Sequence, residues 1–218
     1  MKVMKFGGTS VGSPERMKNV CQLITRSGEP TFVVLSAMSG TTNSLVEISN
    51  YFYKKNLDGA HDIINQLERK YMQHADELFE DEKTNSDIKG FLKERFMFLR
   101  SFSKDTFTSF EERIVVAQGE ILSTNIVVAY LKQCGIKATL ISALDFMKID
   151  KNQEPDMMHI KKEINDILNR ETGYQIYITQ GFICKNAYDE IDNLQRGGSD
   201  YTASLIGAAI QAEEIQIW

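Results

Sequence analysis

Short apolar, β-branched segments each run into a glycine- or hydroxyl-rich loop and then into a helix-period stretch. This alternation constrains the fold more than any other feature of the chain. Residues 3–6 (VMKF) read as a buried strand broken by Gly7-Gly8-Thr9-Ser10. Ser13-Pro14 then has the form of a helix N-cap followed by proline at the first helical position. Met17, Val20, Cys21 and Ile24 recur at helical spacing, and Gly28 closes the segment. Residues 31–35 (TFVVL) read as a central parallel strand, which completes a βαβ unit.

A polar loop over residues 36–43 leads into a long helical middle. We expect helices over 45–53, over a stretch capped by Asp58 with Ile63, Ile64, Leu67, Tyr71, Ala75 and Leu78 along one side, over 88–110 and over 111–133. Residues 80–86 (EDEKTNS) read as a solvated connection, and Gly135 as a C-terminal cap. The strand–helix alternation then resumes, with strands over 137–141 and 175–179 and helices over 157–169 and 199–212. A polar loop is expected over 184–195. Residues 215–218 (IQIW) start a further strand. A terminus inside an apolar strand reads as a cut, because natural termini are usually polar and exposed. The pattern predicts one α/β domain over residues 1–218, incomplete at its carboxyl end.

The formal net charge of -5 argues against a nucleic-acid partner, so positive charge has to be concentrated locally if the chain holds an anion. Cys21, Cys134 and Cys184 form no CxxC pair and read as reduced thiols. His61, His74 and His159 have no metal-ligand spacing, and the first two read as surface residues. The amino terminus lacks a leader-like apolar core, and no apolar run suggests a membrane span. We therefore expect a cytoplasmic protein. An open apolar edge at the last strand would invite the isolated fragment to pair with another chain through surface that the parent covers; a homo-oligomer is expected as well.

Three loops follow apolar strands, and in an open parallel sheet such loops meet at the carboxyl edge. Lys5 with Gly7 and Gly8 is either a plain turn or a phosphate cradle; the spacing is not that of a P-loop. The Ser36–Asn43 segment, SAMSGTTN, is either a capping segment or a helix-start anion site. In Arg196-Gly197-Gly198-Ser199-Asp200 a guanidinium suited to a carboxylate stands beside an acid in a first helical turn, where the same acid could simply cap. Glu120, in Gln118-Gly119-Glu120, lies within an apolar helical run. It is either on an exposed face, as its residue type favours, or buried with a partner such as an ammonium group.

Taken together, KFGGTSVG at residues 5–12, VVLSAMSGTTN at 33–43, QGE at 118–120, TQGFI at 179–183 and RGGSDYTA at 196–203 resemble the aspartate kinases within the wider amino-acid kinase family. Their order and spacing fit along the whole chain. The resemblance implies a three-layer α/β/α sandwich around a mostly parallel sheet. It implies ATP with Mg²⁺ as phosphoryl donor and L-aspartate as acceptor, with no membrane or nucleic-acid partner. Lys5, with Gly7, Gly8, Ser10 and Asp200, would bind the nucleotide, Lys5 and Asp200 acting in catalysis. Ser36, Thr42, Phe182 and Ser199 would hold the aspartate, Glu120 its α-ammonium and Arg196 its α-carboxylate.

The chain departs from the family pattern at Gln195, where a glycine usually precedes the RGGSD motif, and at Cys184, where a glycine commonly follows GFI. The resemblance also implies further kinase-domain elements and regulatory domains beyond residue 218. The alternatives are a kinase acting on another amino acid, such as glutamate, and an aspartate-binding fragment with little turnover.

Overall fold

The computed structural model describes residues 1–104, 106–194 and 197–218. Its centre is a 5-stranded parallel sheet in the order β3-β4-β2-β1-β7, built from β1 (Lys2–Phe6), β2 (Thr31–Leu35), β3 (Ala138–Leu140), β4 (Ile176–Gln180) and β7 (Ile215–Ile217). All five residues of β2 and of β4 are buried, as expected for central strands covered on both faces. Successive side chains alternate between two cores. Met4, Phe6, Val33, Leu35 and Ile178 face one, and Val3, Phe32, Val34 and Tyr177 face the other. The first core is closed by α1 (Pro14–Thr25), α2 (Thr41–Tyr53), α3 (Leu57–Leu78), α4 (Glu82–Ser101) and most of α5 (Ser109–Gln133). The second is closed by α6 (Met157–Arg170) and α7 (Gly198–Ala209). This is the three-layer α/β/α arrangement expected.

Several local expectations are corrected. Asn56, not Asp58, caps α3 by accepting the Gly59 amide at 3.0 Å. The supposed connection over 80–86 is the start of α4, because Asp81 accepts the Thr84 amide at 2.7 Å. The helix expected to run to residue 110 stops at Ser101. A reciprocal capping box between Thr108 and Glu111 starts α5 afresh. The polar loop over 184–195 contains an antiparallel hairpin of β5 (Ile183–Lys185) and β6 (Ile191–Asn193). Its turn is held by Asn186, whose side chain accepts the amides of Tyr188 and Glu190. Cys184 is fully buried in β5, so its side chain adds core volume where a glycine would leave none.

His74 is buried in line with Leu67, Tyr71 and Leu78 on the inner face of α3, whereas His61 is half-buried. Burial holds His74 neutral, with a pKa lowered to about 4. Contrary to expectation, α5 is long and apolar enough by composition to cross a membrane. Its apolar side chains are mostly packed inside the molecule instead. The three cysteines are free thiols. β7 forms one edge of the sheet, where Ile215, Ile217 and Trp218 remain exposed.

Candidate functional site

Parallel pairing aligns Phe6, Leu35 and Gln180, the last residues of β1, β2 and β4. The loops that follow therefore leave the sheet side by side, and the start of α7 meets them. Between them lies a cleft of about 440 Å³. Lys5, Gly8, Ser36, Thr42, Glu120, Phe182, Ser199 and Asp200 all line it.

Two expected residues do not reach it. Gly7 donates its N–H to the Trp218 carbonyl at 3.4 Å, and Ser10 donates its N–H back to the Gly7 carbonyl at 3.0 Å. That turn carries Ser10 into a separate surface hollow beside Phe6, Arg16 and Trp218. Arg196, expected to hold a carboxylate, and Gln195 lie outside the described residues.

The first and second loops are in backbone contact. The Ser39 amide donates to the Gly8 carbonyl at 3.0 Å, and a Cβ on Gly8 would lie only 2.5 Å from the Ala37 carbonyl oxygen. Glycine is needed here for close approach rather than for an unusual backbone conformation. Across the cleft, Lys5 Nζ lies 2.7 Å from Asp200 Oδ1, with the Lys5 side chain 11% exposed and that of Asp200 54%. The carboxylate on α7 thereby orients the one ammonium at the end of β1.

Glu120 corrects the composition-based expectation of an exposed face: it is only 3% exposed. A second close approach explains why. A Cβ at Gly119 would sit 2.8 Å from the Ala37 Cβ, so glycine lets α5 press against the second loop. Glu120 Oε1 then accepts the Ala37 amide at 3.2 Å, while Oε2 has no partner among the described residues. Burial pushes its pKa up to about 7, partly offset by that amide. A buried carboxylate with one unpaired oxygen, in a residue that lines a cleft, is suited to a cationic ligand group.

Sequence reasoning missed the polar side chains that hold the second loop from behind. Ser123 Oγ donates to the Ser36 carbonyl at 2.8 Å, and Lys70 Nζ donates to that of Ser39 at 2.7 Å. The hydroxyls of Tyr71 and Thr41 share a buried hydrogen bond of 3.0 Å. Gln180 accepts the Ala143 amide at 2.8 Å and donates to Thr124 Oγ1 at 2.9 Å. Ser123 and Thr124 follow the Glu120 motif directly, a usable signal. Lys70 and Tyr71 lie about 30 residues from the loop, and nothing local marked them.

An open parallel sheet, with a charge-lined cleft where its glycine loops converge at the carboxyl edge, defines a small-ligand-binding α/β protein. More narrowly, the chain belongs to the amino acid kinase family, whose profile matches residues 1–218. It is 33% identical over 228 residues to aspartokinase 1, chloroplastic, of Arabidopsis thaliana, covering 99% of this chain and 39% of that protein. Against an aspartokinase of Chlamydia muridarum the identity is 30% over 220 residues, covering 99% and 47%. The crystal structure of E. coli aspartokinase III in complex with aspartate and ADP superposes with a TM-score of 0.85 at 26% identity, covering 100% of this chain and 48% of that one. The chain thus spans less than half the length of these relatives.

Proposed function

We propose that this chain is the amino-terminal part of the catalytic domain of an aspartate kinase, which transfers the γ-phosphoryl group of ATP to the side-chain carboxylate of L-aspartate. The observation that carries this reading is the buried, half-satisfied Glu120 in the same cleft as the Lys5–Asp200 pair. Such a cleft suits a ligand with an ammonium group at one end and an anion to be phosphorylated near the other.

In this reading Glu120 takes the α-ammonium on Oε2 and Arg196 the α-carboxylate. Ser36, Thr42 and Ser199 offer polar contacts, and Phe182 forms the wall. An oxygen of the acceptor carboxylate forms the new bond to the γ-phosphorus, the bond from that phosphorus to the β–γ bridging oxygen breaks, and ADP leaves with the electron pair. The acceptor is already an anion, with a reference pKa of about 3.9, so no general base is required. The chemical obstacle is charge: one anion must approach another. Lys5 stabilises the transferring group, Asp200 keeps Lys5 aimed, and Gly8 gives the phosphates close access to the backbone.

Mg²⁺ usually keeps several waters and takes only one or two protein carboxylates together with substrate phosphates. Asp200, on the cleft and half exposed, fits that role, and the described residues contain no cluster of three or more acidic, histidine or cysteine groups that would hold a metal alone. The metal would neutralise phosphate charge. A cytoplasmic location and a homo-oligomeric state belong to the same proposal.

The test is ADP production by the full-length protein with aspartate, glutamate or succinate as acceptor, alongside calorimetry with aspartate. Aspartate alone should be turned over and bound. Equal use of succinate would remove the role given to Glu120, and a preference for glutamate would change the substrate.

A further inference from the structure

Phe182, which forms the cleft wall, has φ +69, the left-handed region that bulky side chains seldom adopt. Such a conformation persists only where its surroundings over-determine it. Here both polar atoms of the residue are held. Its carbonyl accepts the Leu194 amide at 2.7 Å, and its N–H donates to Thr202 Oγ1 at 3.1 Å. Thr202 is completely buried, and its hydroxyl in turn donates to the Gly198 carbonyl at 2.6 Å.

One hydroxyl therefore joins the cleft wall to the first turn of α7, the turn that carries Ser199 and Asp200. The packing around this joint is tight. A Cβ at Gly181 would lie 2.6 Å from Ser199 Cβ, and one at Gly198 would lie 3.0 Å from the Phe182 ring. The wall cannot shift relative to Asp200 without breaking a buried hydrogen bond and releasing the left-handed backbone.

We infer that Thr202 is a positioning residue for the acceptor: its hydroxyl latches the Phe182 wall to the helix start that holds Asp200, and so sets where the acceptor carboxylate lies relative to the Lys5–Asp200 pair. The inference rests on the proposed aspartate kinase reading and deepens it. Thr202 touches neither substrate; it acts through Phe182 and Gly198. A valine at this position keeps the shape and loses the hydroxyl, whereas a serine keeps the hydroxyl and loses a methyl group.

The experiment compares Thr202→Val and Thr202→Ser in the full-length protein. Two readouts are taken: hydrogen exchange at the Phe182 amide without ligand, and KM for aspartate and for ATP. In Thr202→Val the amide should exchange at least about tenfold faster, and KM for aspartate should rise about tenfold, as an unsatisfied buried donor would produce. KM for ATP should move much less, and Thr202→Ser should stay near the parent in both readouts. If Thr202→Val folds poorly, the same substitution is read in a Phe182→Gly background. Glycine needs no support for a left-handed backbone there, so little further rise in aspartate KM is expected.

Unchanged exchange in Thr202→Val overturns the latch. Faster exchange with an unmoved aspartate KM overturns its positioning role, as does a serine variant as impaired as the valine one. A parent protein that does not phosphorylate aspartate overturns the functional reading instead, because the exchange comparison reads the latch without any substrate.

Discussion

Glu120 and Ala37 lie 83 residues apart in sequence, yet the carboxylate of one accepts the amide of the other at 3.2 Å. This contact uses Oε1 and leaves Oε2 without a partner among the described residues. With its pKa pushed up to about 7, the Glu120 carboxyl group is half protonated near neutral pH. An ammonium ligand needs the anion, so binding below pH 7 must expel a proton. Aspartate affinity should therefore weaken up to about tenfold for each pH unit below 7 and level off above pH 8. Calorimetric titration between pH 5.5 and 8 measures this, and a pH-independent affinity would remove Glu120 from the ammonium site. In Glu120→Gln the residual binding should lose its pH dependence.

The same group bears on stability, with His74 opposing it. Glu120, raised to about 7 from 4.5, makes the native state bind more protons than the unfolded one between those values. Its contribution to stability falls as pH rises through that window. His74, lowered to about 4 from 6.5, makes the native state bind fewer protons, so its contribution is lost as pH falls from 6.5 to 4. Between about pH 4.5 and 6.5 the two nearly cancel. Removing one should expose the other: in Glu120→Gln, urea unfolding should show stability falling by about 1.4 kcal/mol more per pH unit of acidification than in the parent. Parallel pH profiles for the two proteins would refute the assignment.

Lys5 lies 2.7 Å from Asp200, and in the proposed kinase reading its charge acts on the transferring phosphoryl group. Lys5→Ala in the full-length protein should lower kcat by about a hundredfold or more, as loss of a preorganised charge does. Aspartate KM should move little. Steady-state kinetics with each substrate varied in turn checks this, and near-normal turnover would take Lys5 out of the reaction.

Gly8 separates steric from chemical effects. A Cβ there would lie 2.5 Å from a backbone oxygen, Ala37 O, which cannot swing aside as a flexible side-chain tip could. Gly8→Ala should push the first and second loops apart and weaken both nucleotide and aspartate binding. The far-UV circular dichroism should be unchanged, because β1 and β2 end before the contact. Unaltered calorimetric affinities in a folded Gly8→Ala protein would show that the loops need not touch.

Much of the architecture was readable because its signals are local. The Ser13-Pro14 cap, the apolar spacing from Met17 to Ile24 and the β-branched run of β2 each act over a few residues, and each lies where expected. The errors were also local. Asp81 starts a helix in a stretch that looked solvated, because a polar cap and a polar loop use the same residue types, and α4 stops at Ser101 rather than running to residue 110. The hairpin after Gly181 escaped notice because its strands are short and partly polar.

For the cleft, the sequence by itself determined which loops carry charge, hydroxyls and glycine, and that they should meet at the carboxyl edge of a parallel sheet. Tertiary structure decided which side of each residue faces inward. Gly8 enters the cleft while Gly7 and Ser10 turn away, although all three belong to one motif. Glu120 is buried because Gly119 lets a helix press on a loop far away in sequence, and Phe182 is held left-handed by a threonine on another helix. Desolvation and hydrogen-bond partnership depend on atoms brought together only by folding, so the identity of a residue determines what it can do chemically, and the packing around it determines whether it is placed to do so.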